Sequence, residues 1–156
     1  MTVEVIGDDD AIREIGAISD RASDWRPISL DLGLIIQADV DERYQSAPGV
    51  RSGGQVYGGQ VWPQLSDAYL AANPRREGGI IGLDTGRSRQ SFTANAAGNI
   101  FETGPQEVAF GSSLPEVRGF HTGKGDPSKA RPLIFAHDEL VETFSARLQE
   151  WIVEGK

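Results

Sequence analysis

The residues with the most chemical promise in this chain are Asp84, Thr85 and Gly86, which follow the apolar Ile80, Ile81 and Leu83. A carboxylate presented in that way at the end of an apolar strand can share one proton with a second carboxylate, and such a pair activates water for amide hydrolysis. The chain supplies the triplet once, so a second copy would have to bring the partner acid.

That chemistry is an aspartic protease-like homodimer using Asp84, and the neighbouring residues argue against it. Arg87 stands where the crowded turn of such enzymes takes a small residue. A guanidinium paired with Asp84 would favour the ionised carboxylate by roughly 1–3 pKa units and oppose proton sharing. A supporting apolar strand ending in Gly-Arg-Asp or Gly-Arg-Asn is missing from the sequence. The commoner use of these residues is structural. Asp84 or Thr85 is expected to cap a short helical turn, with Gly86 permitting close approach and Arg87 or Arg89 reaching a neighbouring carboxylate.

Other reactive patterns fail on spacing. His121-Thr122-Gly123-Lys124-Gly125 has three residues between Gly119 and Gly123 where a phosphate loop needs four, and Gly125 where Ser or Thr should follow the lysine. His121 and His137 are the only histidines, each without a partner at ligand spacing, and there is no cysteine, so no metal and no cofactor is expected. Ser112-Ser113 before Leu114-Pro115 reads as a turn, not as a nucleophile elbow. The expectation is a protein that is not an enzyme.

Charge narrows the partners. The 156 residues carry a net charge of −8, which opposes specific nucleic-acid binding through phosphate neutralisation. Residues 1–50 hold eleven acids against Arg13, Arg21, Arg26 and Arg43, a local balance of −7. No apolar run approaches the roughly 20 residues that span a bilayer, and residues 1–10 are acidic where a signal peptide would be basic. We therefore expect a soluble chain without membrane contact, suited to a reducing cytoplasm.

Several elements must position these residues. Val3 and Val5 alternate with polar neighbours before Gly7, a short strand. Asp8, Asp9 and Asp10 suit the positive end of a helix that carries Ile12, Ile15 and Ile18. Pro27 opens a second helix over residues 27–45, with Ile28, Leu32, Ile35, Ile36, Val40 and Tyr44 at helical spacing. Residues 47–60, with five glycines, and residues 118–129 read as flexible loops. Between them Trp62 is a packing anchor and Ser66 caps a short helix that Asn73-Pro74 ends. Residues 91–110 read as two or three antiparallel strands, the main sheet, and Pro132 marks an extended edge segment. From Asp138 onward Leu140, Val141, Phe144, Leu148, Trp151 and Ile152 share one helix face. The fold class is thus α+β, a single domain over residues 1–156. It has a small antiparallel sheet packed against two N-terminal helices and a long C-terminal amphipathic helix.

The order of these features is itself a signature. Gly7-Asp8-Asp9, two helices, a Gly-rich loop, Trp62-x-x-Leu65-Ser66, Leu83-Asp84-Thr85-Gly86-Arg87, a sheet, Arg131-Pro132-Leu133 and a last helix follow one another along nearly the whole chain. In this the chain resembles the phage virion morphogenesis family, the tail completion proteins similar to those of phages Mu and P2. The motif residues are Trp62, Leu65, Ser66, Asp84, Thr85, Gly86, Arg87, Arg131 and Pro132. The resemblance implies a structural virion protein assembled in the host cytoplasm as a homo-oligomeric ring, commonly a hexamer. Its place would be the head-proximal end of the tail or the neck, against tail tube and connector proteins. DNA would pass through the lumen, and Asp39, Asp41 and Glu42 are the acids expected to face it and repel phosphate. A tail assembly factor absent from the finished particle is the alternative within the same biology.

Overall fold

The computed structural model describes residues 8–156, and the expected strand around Val3 and Val5 lies outside them. Helix α1 (Asp8–Ser23) begins at the acidic triplet, and Asp9 and Asp10 occupy its first turn. A 3-10 turn at Arg26–Ile28 carries Pro27 and leads into α2 (Ser29–Gln45). The two helices therefore form where the apolar spacing and the proline place them.

Helix α2 is the scaffold for the rest. Leu32, Val40 and Tyr44 are buried along its inner face, and Gly33 lets the sheet approach. A Cβ at Gly33 would stand 2.5 Å from the Phe101 ring, so glycine here creates the slot that the hairpin fills. That hairpin is β3 (Asn99–Gly104) and β4 (Glu107–Ser112), paired antiparallel from Asn99↔Ser112 to Gly104↔Glu107. It is two-stranded, and residues 91–98 form turns instead of a third strand. Phe92 still reaches the core, stacked against Phe110 at 6.1 Å.

The segments expected to be loose are built into the body. Within residues 47–60, Val50 and Val56 are core side chains, and Gly54–Gln55 (β1) pairs with Val61–Trp62 (β2). Residues 118–129 contain the second half of helix α5 (Pro115–Thr122) and 3-10 turns at Gly123–Gly125 and Pro127–Lys129, with Gly123 buried. Glycine and polar content led to the loop reading. Two valines, and Val117 with Phe120 on α5, suffice to anchor these segments once a surrounding core exists. Residues 131–133 are not assigned to a strand, so the expected edge segment is irregular.

Between β2 and β3 lie α3 (Asp67–Ala72), capped by the Ser66 hydroxyl, which accepts from the Tyr69 N–H at 3.3 Å, and the single turn α4 (Arg87–Gln90). Helix α6 (Asp138–Glu154) closes the chain. Its stripe of Leu140, Phe144, Leu148, Trp151 and Ile152 is half-buried against α1 and α2. The Arg21 guanidinium ties the end of α1 to α6 by donating to the Ile152 and Val153 carbonyls at 2.8 and 3.0 Å. The architecture is α+β, with two small antiparallel sheets and a C-terminal helix.

Candidate functional site

The densest polar constellation sits where α2 meets the start of α6. Asp39 and Arg43, one turn apart, lie on the buried face of α2 beside Val40 and Tyr44, and pair with each other. The Arg43 side chain is 0% exposed. It donates to the Leu133 carbonyl at 2.7 Å and lies 3.9 Å above the Phe135 ring. Asp39 also meets the His137 Nε2 at 2.6 Å, and the His137 ring stands edge-on to Tyr57 at 5.2 Å. These contacts hold residues 133–137 and set the point from which α6 departs.

Above them runs a groove of about 190 Å³ lined by Ile35, Glu42, Tyr57, Glu139 and Leu140. Burial and the adjacent Glu139 carboxylate push the Tyr57 phenol up to about 12, so it remains protonated at neutral pH. A carboxylate-oriented imidazole is one part of a proton relay. Among the described residues the only side-chain hydrogen bond of His137 is the one to Asp39, and no hydroxyl is bonded to its ring. The arrangement observed is thus a clamp between helix and chain.

Sequence alone does not show this clamp: His137 reads there as a lone histidine and Asp39 as an acid facing a lumen. One signal was present: Asp39 and Arg43 precede Val40 and Tyr44 and so fall on the same apolar face of a helix. The structure corrects the expectation for the acids. Asp39 is 6% exposed and cannot face a lumen. Asp41 is half-exposed and paired with Arg89 at 2.7 Å. Glu42 alone of the three is exposed and free of an ion pair among the described residues.

The motif residues, by contrast, converge. Trp62 is 0% exposed, edge-on to Phe120 at 5.1 Å and to Tyr44 at 6.4 Å, and its Nε1 donates to the Pro132 carbonyl at 3.2 Å. Arg131 returns the contact, its Nη2 donating to the Pro63 and Gln64 carbonyls at 2.7 and 2.8 Å. Leu65 packs at the edge of the same core. Two motifs nearly seventy positions apart are therefore the two halves of one junction.

The Asp84 segment is a second, separate junction. Asp84 lies 2.9 Å from Arg75 and 3.6 Å from Arg76, while Arg76 is buried and donates to the Leu83 and Ile80 carbonyls at 2.6 and 2.9 Å. Arg87 does not pair with Asp84 and faces Glu116 at 3.4 Å. Neither Asp84 nor Thr85 occupies the cap position of α4, which belongs to Gly86; the Thr85 hydroxyl meets the Arg87 N–H only at 3.4 Å. Gly86 serves its positive φ of 78°, not close approach, since a Cβ there would meet nothing within 4 Å.

His121, expected in a loop, lies on α5, and its Nδ1 accepts from the Leu133 N–H at 3.1 Å. The ring is therefore neutral at Nδ1, and burial holds its pKa below the ordinary histidine value. The unfolded chain then binds the proton more readily than the folded one. Stability is complete above the unfolded value of about 6.5 and is lost as pH falls through the lower folded value. We predict that the urea midpoint drops from pH 7.5 to pH 5 more steeply for the wild type than for His121→Asn, whose amide oxygen can still accept. Parallel pH profiles would overturn the assignment.

Among the described residues there is no cluster of three or more His, Asp or Glu side chains able to hold a metal, and no helix long and apolar enough to cross a membrane. No family model, curated protein or solved structure matches this chain.

Proposed function

We propose that this protein is a structural virion protein of a tailed phage, a ring subunit at the head-proximal end of the tail or in the neck. The observation that carries the reading is the apolar surface left on its three long helices. Ile12 and Ile15 on α1, Leu30 and Leu34 on α2, and Val141 and Val153 on α6 are exposed in the single chain. Scattered exposed aliphatics are ordinary, but their presence on all three long helices, with Leu30 and Leu34 one turn apart on α2, supports a reading in which part of this surface meets a partner. Identical subunits meeting through unlike faces close into rings when the rotation allows.

The resemblance supports the choice of biology. Its Trp62 and Arg131-Pro132 motifs form one junction, and its Asp84-Thr85-Gly86-Arg87 motif organises another, so both work as architectural parts. In this reading the work of the protein is to end tail-tube growth and present a joining surface, without a cofactor, in a six-fold ring around the DNA path. Glu42, exposed on α2, is the acid left to repel phosphates in the lumen.

Quantitative mass spectrometry of purified particles tests the proposal. We expect the chain in the virion at a small fixed copy number matching one ring. A chain abundant in infected cells yet missing from purified particles would overturn it in favour of a non-virion tail assembly factor.

A further inference from the structure

Gly111 lies inside β4, directly opposite Ile100, and neither its backbone nor its packing requires a glycine. Its φ is not positive, and a Cβ there would meet nothing within 4 Å. Glycine inside a strand weakens it, and commonly marks a bulge, a barrel corner or a place where a ligand or another backbone comes close. The register runs unbroken from Asn99↔Ser112 to Gly104↔Glu107, so there is no bulge, and a two-stranded hairpin turns no corner. No other backbone among the described residues stands before it.

The space in front of Gly111 is a groove of about 290 Å³ with apolar walls of Phe92, Ile100, Val117, Leu133 and Ile134. Its unanswered polar groups are donors. Arg118, on the exposed rim, forms no ion pair among the described residues, and Glu116, the only acid of α5, is taken by Arg87 at 3.4 Å. His121 lies one turn further along α5 and also lines the groove. Because its Nδ1 accepts from the Leu133 N–H, its proton is on Nε2, and that N–H has no acceptor among the described residues. The hydroxyls are engaged already: Thr122 donates to the Arg118 carbonyl at 2.9 Å, and the Ser112 Oγ accepts from the Leu114 N–H at 3.2 Å. Among the described residues no carboxylate lines the groove. Apolar walls with two free donors and no counter-charge are complementary to an anion that carries an apolar tail.

We infer that this groove binds a small apolar carboxylic acid, its carboxylate held by the Arg118 guanidinium and the His121 Nε2–H and its tail lying over Gly111 against Ile100, Phe92 and Val117. A guanidinium and a ring N–H can take the two oxygens of one carboxylate between them. The site does not depend on the ring reading, since every group in it belongs to one chain.

Calorimetric titration of the full chain with octanoate tests the site, and saturable binding of one octanoate per chain is expected. Acetate, which lacks the tail, and octanamide, which lacks the charge, should each bind about tenfold more weakly or worse. Arg118→Ala should weaken octanoate by about the same factor and leave octanamide unchanged. Its position is exposed, so the urea midpoint should not move. Gly111→Val should abolish binding of both probes, because its side chain stands in the groove, while a β-branched residue suits the strand and should hold the urea midpoint at or above the wild-type value. Absence of saturable octanoate binding, equal affinity for octanoate and octanamide, or an Arg118→Ala or folded Gly111→Val chain that binds octanoate like the wild type each overturns the inference. An acetylated tripeptide ending in leucine that binds where octanoate does not would assign the groove to a chain terminus, and overturns it too.

Discussion

Asp39→Ala is expected to remove about 3–5 kcal/mol of folding stability, because it leaves the Arg43 charge buried without its carboxylate. Arg43 is wholly enclosed between α2 and residues 133–137, and its remaining partners are the Leu133 and Phe135 carbonyls. The two carbonyls accept from its terminal nitrogens, leave the buried Nε without a partner and do not neutralise the charge. The same change frees His137, whose ring is otherwise set by Asp39. For a chain of this length the loss corresponds to a fall in Tm on the order of 10 °C. Replacing both charges at once, Asp39→Leu with Arg43→Met, should cost far less than Asp39→Ala alone, since no buried charge is then left unpaired. Urea unfolding followed by circular dichroism measures both. An Asp39→Ala cost below about 1 kcal/mol would show that the pair is not the clamp described.

Trp62→Ala should be comparably severe, about 3–5 kcal/mol, for a different reason. Its ring fills the space between Tyr44, Phe120 and the Pro132 carbonyl with no exposure to solvent. Truncation leaves a cavity that these neighbours, held by α2 and α5, cannot close. Trp62→Phe retains most of the ring contact and loses the hydrogen bond to Pro132, and is expected to cost about 1–2 kcal/mol. Urea midpoints order the three chains as wild type, Phe, Ala. If Phe and Ala cost the same, ring packing is not what Trp62 contributes. Either variant acts through the junction of residues 62–65 with 131–133, and so should reduce assembly only to the extent that it unfolds the subunit.

Legibility followed the range of the interactions. Helices α1, α2 and α6 were readable because their apolar residues recur every three or four positions, and local start signals, the Asp triplet, Pro27 and Asp138, agree with it. The hairpin was readable from alternation around Gly104, but the third strand was not there: Phe92 reaches the core from a turn, and an apolar residue in a turn is indistinguishable in sequence from one in a strand. Helix α5 escaped notice because eight residues with Gly119 in the middle carry only Val117 and Phe120 as a pattern. The contribution of the Gly-rich residues 47–60 to the core was hidden for the converse reason. Glycine reports backbone freedom, and it says nothing about whether Val50 and Val56 will find a core.

The clamp and the two junctions show the division most sharply. Sequence by itself determined that there are three long helices, antiparallel strands around Gly104, no thiol chemistry and an excess of acid in the first third, since each of these is a local property of composition or period. Only the tertiary structure decided that Asp39 is an internal counter-ion to Arg43 and His137, that Trp62 closes on Pro132, that Asp84 answers Arg75 and Arg76, and that residues 9–16 of α1 are exposed. Whether a charge is buried or exposed, and whether an apolar face is core or interface, depends on what chain closure brings opposite it. The separation of 98 positions between Asp39 and His137 puts that partner beyond the reach of any local pattern.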